Sequence, residues 1–231
     1  MERENYKPAM KLLSLNVARP RLILIKDQPV STGIFKQPVE GPVMLGRLNL
    51  DGDRQADLRV HGGPNKAVYA YPSEHYPYWC GELPEMDLPY GMFGENFTTE
   101  GLNEENTHIG DQFRIGEAVL MATQPREPCF KLAAKFQRDD IVKRFFLSGR
   151  SGFYLSVVQE GIVQAGDTVE RIHEDPNRVR VADINQVNIH GANDPELLRR
   201  ALRIEALPDG YRNYFLQELQ SLESGSTIER A

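Results

Sequence analysis

The sequence predicts a mostly β protein, a barrel or sandwich of short strands with interspersed helices, followed by a small helical unit. Three observations carry this. Between Met10 and Arg171, runs rich in Val, Ile, Leu, Phe and Tyr alternate with closely set Gly, Pro, Asn and Asp. That is the pattern of an all-β domain rather than of βαβ units. After Pro176 helical periodicity replaces it. The chain has 231 residues, 40% apolar and 26% charged. This suits one large domain, or one domain with a small companion, and provides enough apolar surface for a core.

Strands are expected at Lys11–Val17, Leu22–Lys26, Val43–Leu50, Ala67–Tyr71, Gln112–Ile115, Ala118–Thr123, Phe153–Val158 and Thr168–Ile172. Ile109–Phe113 and Ala165–Val169 echo each other around Gly-Asp, which fits a tight turn entering a strand. Ser73–Glu82 follows Pro72 and reads as a helix, as does Asp139–Ser148, with Gly149 as its stop. In the C-terminal part, helices are expected at about Ala182–Asn188, Asp194–Arg203 and Pro208–Leu222. Asp194-Pro195-Glu196 supplies a cap, and Leu197, Leu198, Ala201 and Leu202 recur at helical spacing. So small a unit must pack on the barrel or on a second subunit.

Charge and composition exclude several classes. The net charge is −6, which argues against a nucleic-acid or anionic-membrane surface. No stretch approaches the roughly 20 apolar residues of a membrane span. Met1–Lys11 is charged and lacks the apolar core of a signal peptide, so a cytoplasmic protein is expected. Cys80 and Cys129 are separated by 49 positions, with no CxxC, and both are expected as free thiols. Cys80, on the helix after Tyr78-Trp79, reads as a core residue.

Chemistry concentrates around Cys129. Residues Arg126–Arg150 hold seven basic and three acidic side chains, a local +4 in an acidic chain. Such an island either attracts a small anion such as a phosphate or is a solvated face. Within it, Pro125 and Pro128 stiffen the loop, and Arg126 and Lys131 flank Cys129. Nearby cations favour the thiolate, the form that attacks electrophiles or binds metal; a small buried hydrophobe is the ordinary alternative. His61-Gly62-Gly63-Pro64-Asn65-Lys66 joins two strands. Its glycines let backbone N–H groups approach a ligand and Lys66 adds charge, although a Gly-Gly turn is commonly only a turn. Asn96 could read a heterocycle edge or close an Asx turn. No Walker loop, GxGxxG, HExxH or GxSxG is present.

These segments, in order, resemble a known family. Leu50–Asp57, Val60-His61-Gly62-Gly63-Pro64, Ala70–Tyr76, Phe93-Gly94-Glu95-Asn96, Ile109-Gly110-Asp111, Gln124-Pro125-Arg126 and Cys129-Phe130-Lys131-Leu132 are similar to the MOSC family, named for the molybdenum cofactor sulfurase C-terminal domain. The YiiM-like branch, which carries a three-helix domain after the barrel, is the closer match. The resemblance implies a closed, twisted β-barrel over 33–172, with N-terminal strands in 1–32 packing on it. It further implies a three-helix domain at 178–222, and 223–231 reads as a disordered tail.

The resemblance also implies a molybdenum cofactor (Mo-molybdopterin) with Cys129 as the catalytic metal ligand. His61, Gly62, Gly63, Lys66, Asn96, Arg126 and Lys131 would lie near the cofactor. The activity implied is reduction of N-hydroxylated compounds, including base analogues such as 6-N-hydroxylaminopurine, a detoxification. No flavin or haem site is visible, so an external flavoprotein would donate electrons; a homodimer is among the expected assemblies. The alternative is a non-catalytic carrier or insertion protein for the cofactor or for sulfur. A thiol hydrolase is a poorer reading because no His partner is identifiable. The chain departs from the amidoxime-reducing relatives at Phe35–Val43, where the lysine of their YPVKS-like motif is missing. Lys36 or Lys66 is the candidate to replace it.

Overall fold

The computed structural model describes residues 9–56 and 62–224. The strands, in chain order, are β1 (Met10–Val17), β2 (Arg21–Ile25), β3 (Gln28–Thr32), β4 (Gln37–Pro38), β5 (Val43–Leu45), β6 (Val68–Pro72) and β7 (Phe97–Glu100). They continue with β8 (Gln112–Ile115), β9 (Ala118–Pro125), β10 (Phe153–Gln159), β11 (Gly161–Val163) and β12 (Thr168–His173). The helices are α1 (Tyr76–Glu82), α2 (Phe130–Phe136), α3 (Ile141–Ser148), α4 (Val181–His190), α5 (Pro195–Leu202) and α6 (Asp209–Ser224).

Seven strands close a barrel in the order β12-β8-β9-β10-β6-β7-β1, with β1 pairing back onto β12 through Met10–Val169 and Lys11–Thr168. The N-terminal segment therefore contributes a barrel stave, β1, before the β2–β3 hairpin. All barrel pairings are antiparallel except β6–β7. A parallel pair needs a crossover of a dozen or more residues, and here it carries α1.

Strand β6 is buried at every position. Its alternation explains why: Val68 and Ala70 enter the barrel core, while Tyr69 and Tyr71 enter a second core outside. That outer core holds Trp79, Phe93, Phe136 and Phe145, with the Trp79 indole N–H donating to Tyr71 Oη at 2.7 Å. The barrel core runs on without a break into α4–α6 through Val187, Leu198, Tyr211 and Phe215. The helical unit thus packs on its own barrel.

The expected helices and strands lie close to where they form, with local differences. The strand expected over Val43–Leu50 ends at Leu45, because Gly46 turns the chain and its N–H donates to Asn49 O at 3.0 Å. Helix α2 was not expected; it begins at the residue after Cys129. The Gly-Asp echo is one turn used twice. Gly110 and Gly166 both have φ near +95° (94° and 98°), and Asp111 and Asp167 each accept from the N–H three residues earlier, at 3.0 and 2.8 Å. Cys80 is a correction: it is exposed, not core. The buried stripe of the short α1 is only Tyr76 and Trp79, continued by Leu83, and Cys80 falls beside it. Helix α6 extends to Ser224, past the start of the expected disordered tail; 225–231 lie outside the described residues.

Two features hold the outer layer in place, one against the barrel at Gly152 and one between α2 and the loops at Ile34 and Gly91. Gly152 has φ +62°, and a Cβ there would stand 2.4 Å from Ala70 O and 2.8 Å from the Tyr69 ring. Lys135 of α2 donates to Ile34 O at 2.9 Å and Gly91 O at 2.5 Å, and burial brings its pKa down to about 8.

Gly152→Ala is expected to cost about 2–5 kcal/mol, from left-handed backbone strain plus a clash with β6, read as a lower urea midpoint. For Lys135, the ordinary value is 10.5. Between about 8 and 10.5 the unfolded chain binds a proton that the folded chain does not, so stability contributed through this group rises with pH. Urea unfolding across that interval should show the wild type gaining on Lys135→Met; a constant difference would contradict the assignment.

Candidate active site

The loop after β9 is held from both sides. Pro125 and Pro128 have no N–H to donate, and the Arg126 N–H donates to Gly152 O at 3.2 Å on the barrel. On the other side Glu127 Oε1 accepts from Tyr211 Oη of α6 at 2.7 Å. Between them Cys129, extended and half-buried, precedes α2. Its thiol lies where two cavities meet, because Cys129, Lys66 and Tyr154 line both.

The first cavity is basic. Lys36, Arg54, Lys66, Arg126 and Lys131 line it, and among the described residues of its lining there is no acid. Lys36 is already countered: it forms a buried ion pair with Asp53 at 2.5 Å, and burial, its largest influence, lowers its pKa. Arg54 donates to Asn49 Oδ1 at 2.8 Å and Asp53 O at 2.9 Å. Arg126 is different. It is 6% exposed and stacks over the Tyr69 ring at 4.8 Å and the Phe145 ring at 5.4 Å, yet its Nη1 has no hydrogen-bond partner. Burial opposes its charge, but Tyr69, Tyr154 and Cys129 outweigh that and hold it protonated. Buried polar atoms are almost always paired. A buried guanidinium nitrogen left over in an acid-free cavity fits an anionic group on a ligand.

The basic island of the sequence is therefore divided. Arg126 and Lys131 line the cavity, while Lys135 is bound to Ile34 O and Gly91 O. Arg138 pairs with Glu85 (2.8 Å) and Asp140 (3.0 Å), and Arg144 with Glu82 (2.5 Å), on the surface. Arg150 stacks on Tyr78 at 3.8 Å. Such exposed pairs contribute little individually.

The second cavity is a cleft between the barrel and the helical unit. Gly62, Gly63 and Lys66 line its barrel side, and Asn188, Tyr211 and Tyr214 its helical side. The residues singled out in the sequence are distributed accordingly. Arg126, Lys131 and Asn96 stand at the basic cavity, Gly62 and Gly63 at the cleft, and Lys66 and Cys129 at both. His61 lies outside the described residues. Asn96 is engaged in neither an Asx turn nor an open edge. Its Oδ1 accepts from Tyr69 N (3.2 Å), and its Nδ2 donates to Asp53 Oδ2 (2.9 Å) and Asn16 O (3.2 Å). Sequence reasoning missed Tyr69, Tyr154, Glu127, Tyr211 and Tyr214. Only Glu127, beside Cys129, carried a local signal.

Among the described residues no group of three or more His, Cys, Asp or Glu could hold a metal ion. Any metal at Cys129 would need ligands from another molecule. Among the same residues no helix is long and apolar enough to cross a membrane.

Comparison with known proteins matches two successive parts of the chain. A family model described as the MOSC domain matches residues 57–170, and one described as the YiiM-like, 3-alpha helix domain matches 181–222. The chain is 41% identical over 222 residues to the uncharacterized protein YflK of Bacillus subtilis, covering 96% of this chain and 98% of that one. A protein named Reductase from Gibberella moniliformis is 35% identical over 161 residues, 68% of this chain and 28% of its own length. The crystal structure of YiiM from Geobacillus stearothermophilus superposes with a TM-score of 0.76 at 33% identity, over 91% of this chain and 99% of that one.

Removing the guanidinium whose Nη1 is unpartnered should leave the fold and alter only the cavity. Arg126→Met is expected to keep its thermal midpoint within a few degrees while losing roughly tenfold or more in affinity for a phosphate-bearing ligand. Calorimetric titration with a pterin phosphate checks it, and equal affinity in the variant would contradict it.

Proposed function

Because the chain belongs to the MOSC family, in the branch with the YiiM-like helical unit, we propose that it binds a molybdenum pterin cofactor at Cys129 and reduces N-hydroxylated compounds. The observation that carries this reading is the unpartnered Arg126 Nη1 in a basic, acid-free cavity opening at the Cys129 thiol. The MOSC family is associated with molybdenum cofactor binding, and a relative named Reductase agrees with redox turnover.

The residues present fit that group. Cys129 offers a thiolate, a soft ligand suited to such a metal. Arg126, Lys131, Lys66 and Arg54 would hold the phosphate end, with Arg126 deepest. Lys36, the candidate for the lysine missing from the YPVKS-like motif, is instead bound to Asp53. Lys66 is the better candidate for that contact, since it faces both cavities. When bound, the cofactor supplies a two-electron redox centre, and the protein's part is binding, orientation and water exclusion. The net reaction takes R–NH–OH with two electrons and two protons to R–NH2 and water. The N–O bond breaks, and an external flavoprotein is the electron source. The cleft beyond Cys129 favours turnover over carriage, because a carrier has no need of a second cavity at its metal ligand.

In a host that makes the cofactor, wild type and Cys80→Ala should carry near-stoichiometric molybdenum and pterin, and Cys129→Ala should carry almost none. Protein loaded in this way should reduce N-hydroxy compounds with a chemical electron donor. Absence of metal and pterin from every form, even after reconstitution, would overturn the reading.

A further inference from the structure

Arg126 is supported by the segment between α3 and β10. Gly152 O accepts the Arg126 N–H at 3.2 Å, and Ser151 O accepts from Tyr69 Oη at 2.7 Å. The Tyr69 ring is the surface beneath the Arg126 guanidinium. The backbone of Arg126 and the ring that carries its side chain are therefore both anchored to two adjacent residues, Ser151 and Gly152.

That pair is itself held by a carboxylate. Glu104, in the loop between β7 and β8, is 4% exposed, and its Oε1 accepts the Gly152 N–H at 2.6 Å. Its Oε2 lies 2.7 Å from His75 Nε2, at the entry to α1. Its backbone O accepts from Ala182 N of α4 at 3.1 Å. Helix α4 also grips the segment directly, since Asn185 Nδ2 donates to Ser151 Oγ at 2.8 Å and to Gly149 O at 3.1 Å. Burying a carboxylate is costly unless it is paired and hydrogen-bonded, and here both oxygens are engaged. Gly152 links the two ends: it donates to Glu104 through its N–H and accepts from Arg126 through its C=O. Glu104 lines neither cavity, so it reaches the site only through this link.

We propose that Glu104 is a positioning residue for the anion site: through Ser151 and Gly152 it fixes the Arg126 guanidinium where the phosphate end of the cofactor would lie. The inference rests on the cofactor reading and deepens it. A ligand-binding group is only as well placed as the residues that hold it. Glu104 joins the outer aromatic layer at His75, the barrel at Gly152 and the helical unit at Ala182, so all three bear on one cation.

The test uses the full chain. Glu104→Ala removes the acceptor, whereas Glu104→Gln keeps an amide oxygen able to take the Gly152 N–H. In calorimetry with a pterin phosphate, Glu104→Ala should bind roughly 3- to 10-fold more weakly than the wild type, and Glu104→Gln should recover most of that loss. In an Arg126→Met background, Glu104→Ala should cost no further affinity, because no guanidinium is left to place. A merely structural role would lower the thermal midpoint without this dependence on Arg126. Amide exchange gives a readout that needs no ligand. The Gly152 and Arg126 N–H groups should lose protection in Glu104→Ala and regain it in Glu104→Gln, while Leu120 and Val157, paired in β9 and β10, stay protected. If Glu104→Ala does not fold, Glu104→Asp, one methylene short of Gly152, takes its place with the same expectations.

Wild-type affinity for the pterin phosphate in a folded Glu104→Ala or Glu104→Asp protein would overturn the proposal. So would an equal loss in the Arg126→Met background, or unaltered exchange at Arg126. If the wild type binds no pterin phosphate while exchange at Arg126 still depends on Glu104, the cofactor reading falls and the placement of Arg126 by Glu104 stands.

Discussion

Burial of β6 on both faces is the constraint from which the rest of the structure follows. A strand packed on one side only can shift or fray, but Val68 and Ala70 lie inside the barrel while Tyr69 and Tyr71 lie inside the outer aromatic core. A register change would turn both sets the wrong way at once. Tyr69 is fixed by this arrangement. Its Oη donates to Ser151 O at 2.7 Å, and its backbone pairs with Asn96 through both N–H and C=O. The fixed ring is the surface on which Arg126 rests. The position of the buried cation is thus set by the same packing that closes the barrel.

The second consequence concerns polar groups. Asp53, fully buried, gathers Lys36, the Ala18 N–H and Asn96 Nδ2. Glu95 gathers Tyr76 Oη and the Gly91 and Phe93 N–H groups, and burial raises its pKa. Asp53 lies on the segment between β5 and β6 and Glu95 on the loop leading into β7, and the Asp53 partners Lys36 and Asn96 line the basic cavity. The members of both clusters are satisfied internally, so they stiffen the cavity wall. Arg126 Nη1 stands out because, unlike these groups, it has no partner.

The helical unit is more than an appendage. Its apolar face continues the barrel core, and Tyr211 contributes to that core with its ring and to the cleft with its hydroxyl. The Cys129 loop is therefore positioned by two separate layers, with Arg126 tied to the barrel and Glu127 to α6. Cys129 lies between a cavity lined by cations and a cleft lined by Glu127 and Asp209.

Much of this was legible in the sequence. The alternation of short apolar runs with Gly and Asp turns marked the barrel strands, and Pro195 after Asp194 marked α5, whose cap forms through Asp194 Oδ1. Cys129 was distinguished by its prolines, its flanking cations and the ordered segments around it. These are local signals, carried by neighbours in the chain. Helix α2 was hidden because a short helix after a Pro-rich loop has little periodicity to show, and its stability comes from Leu132 and Phe136 in the outer core. Which of seven basic residues faced a ligand could not be read from spacing. Arg138 and Arg144 are neutralised by Glu85 and Glu82, about 50 to 60 positions earlier. Tyr211 meets Glu127 across 84 positions. The sequence by itself determined the fold class and most of the strands and helices, because turns, caps and alternation act between near neighbours. Only the tertiary structure decided which charges were countered, which cysteine was exposed and which two cavities met, because those depend on contacts between distant segments.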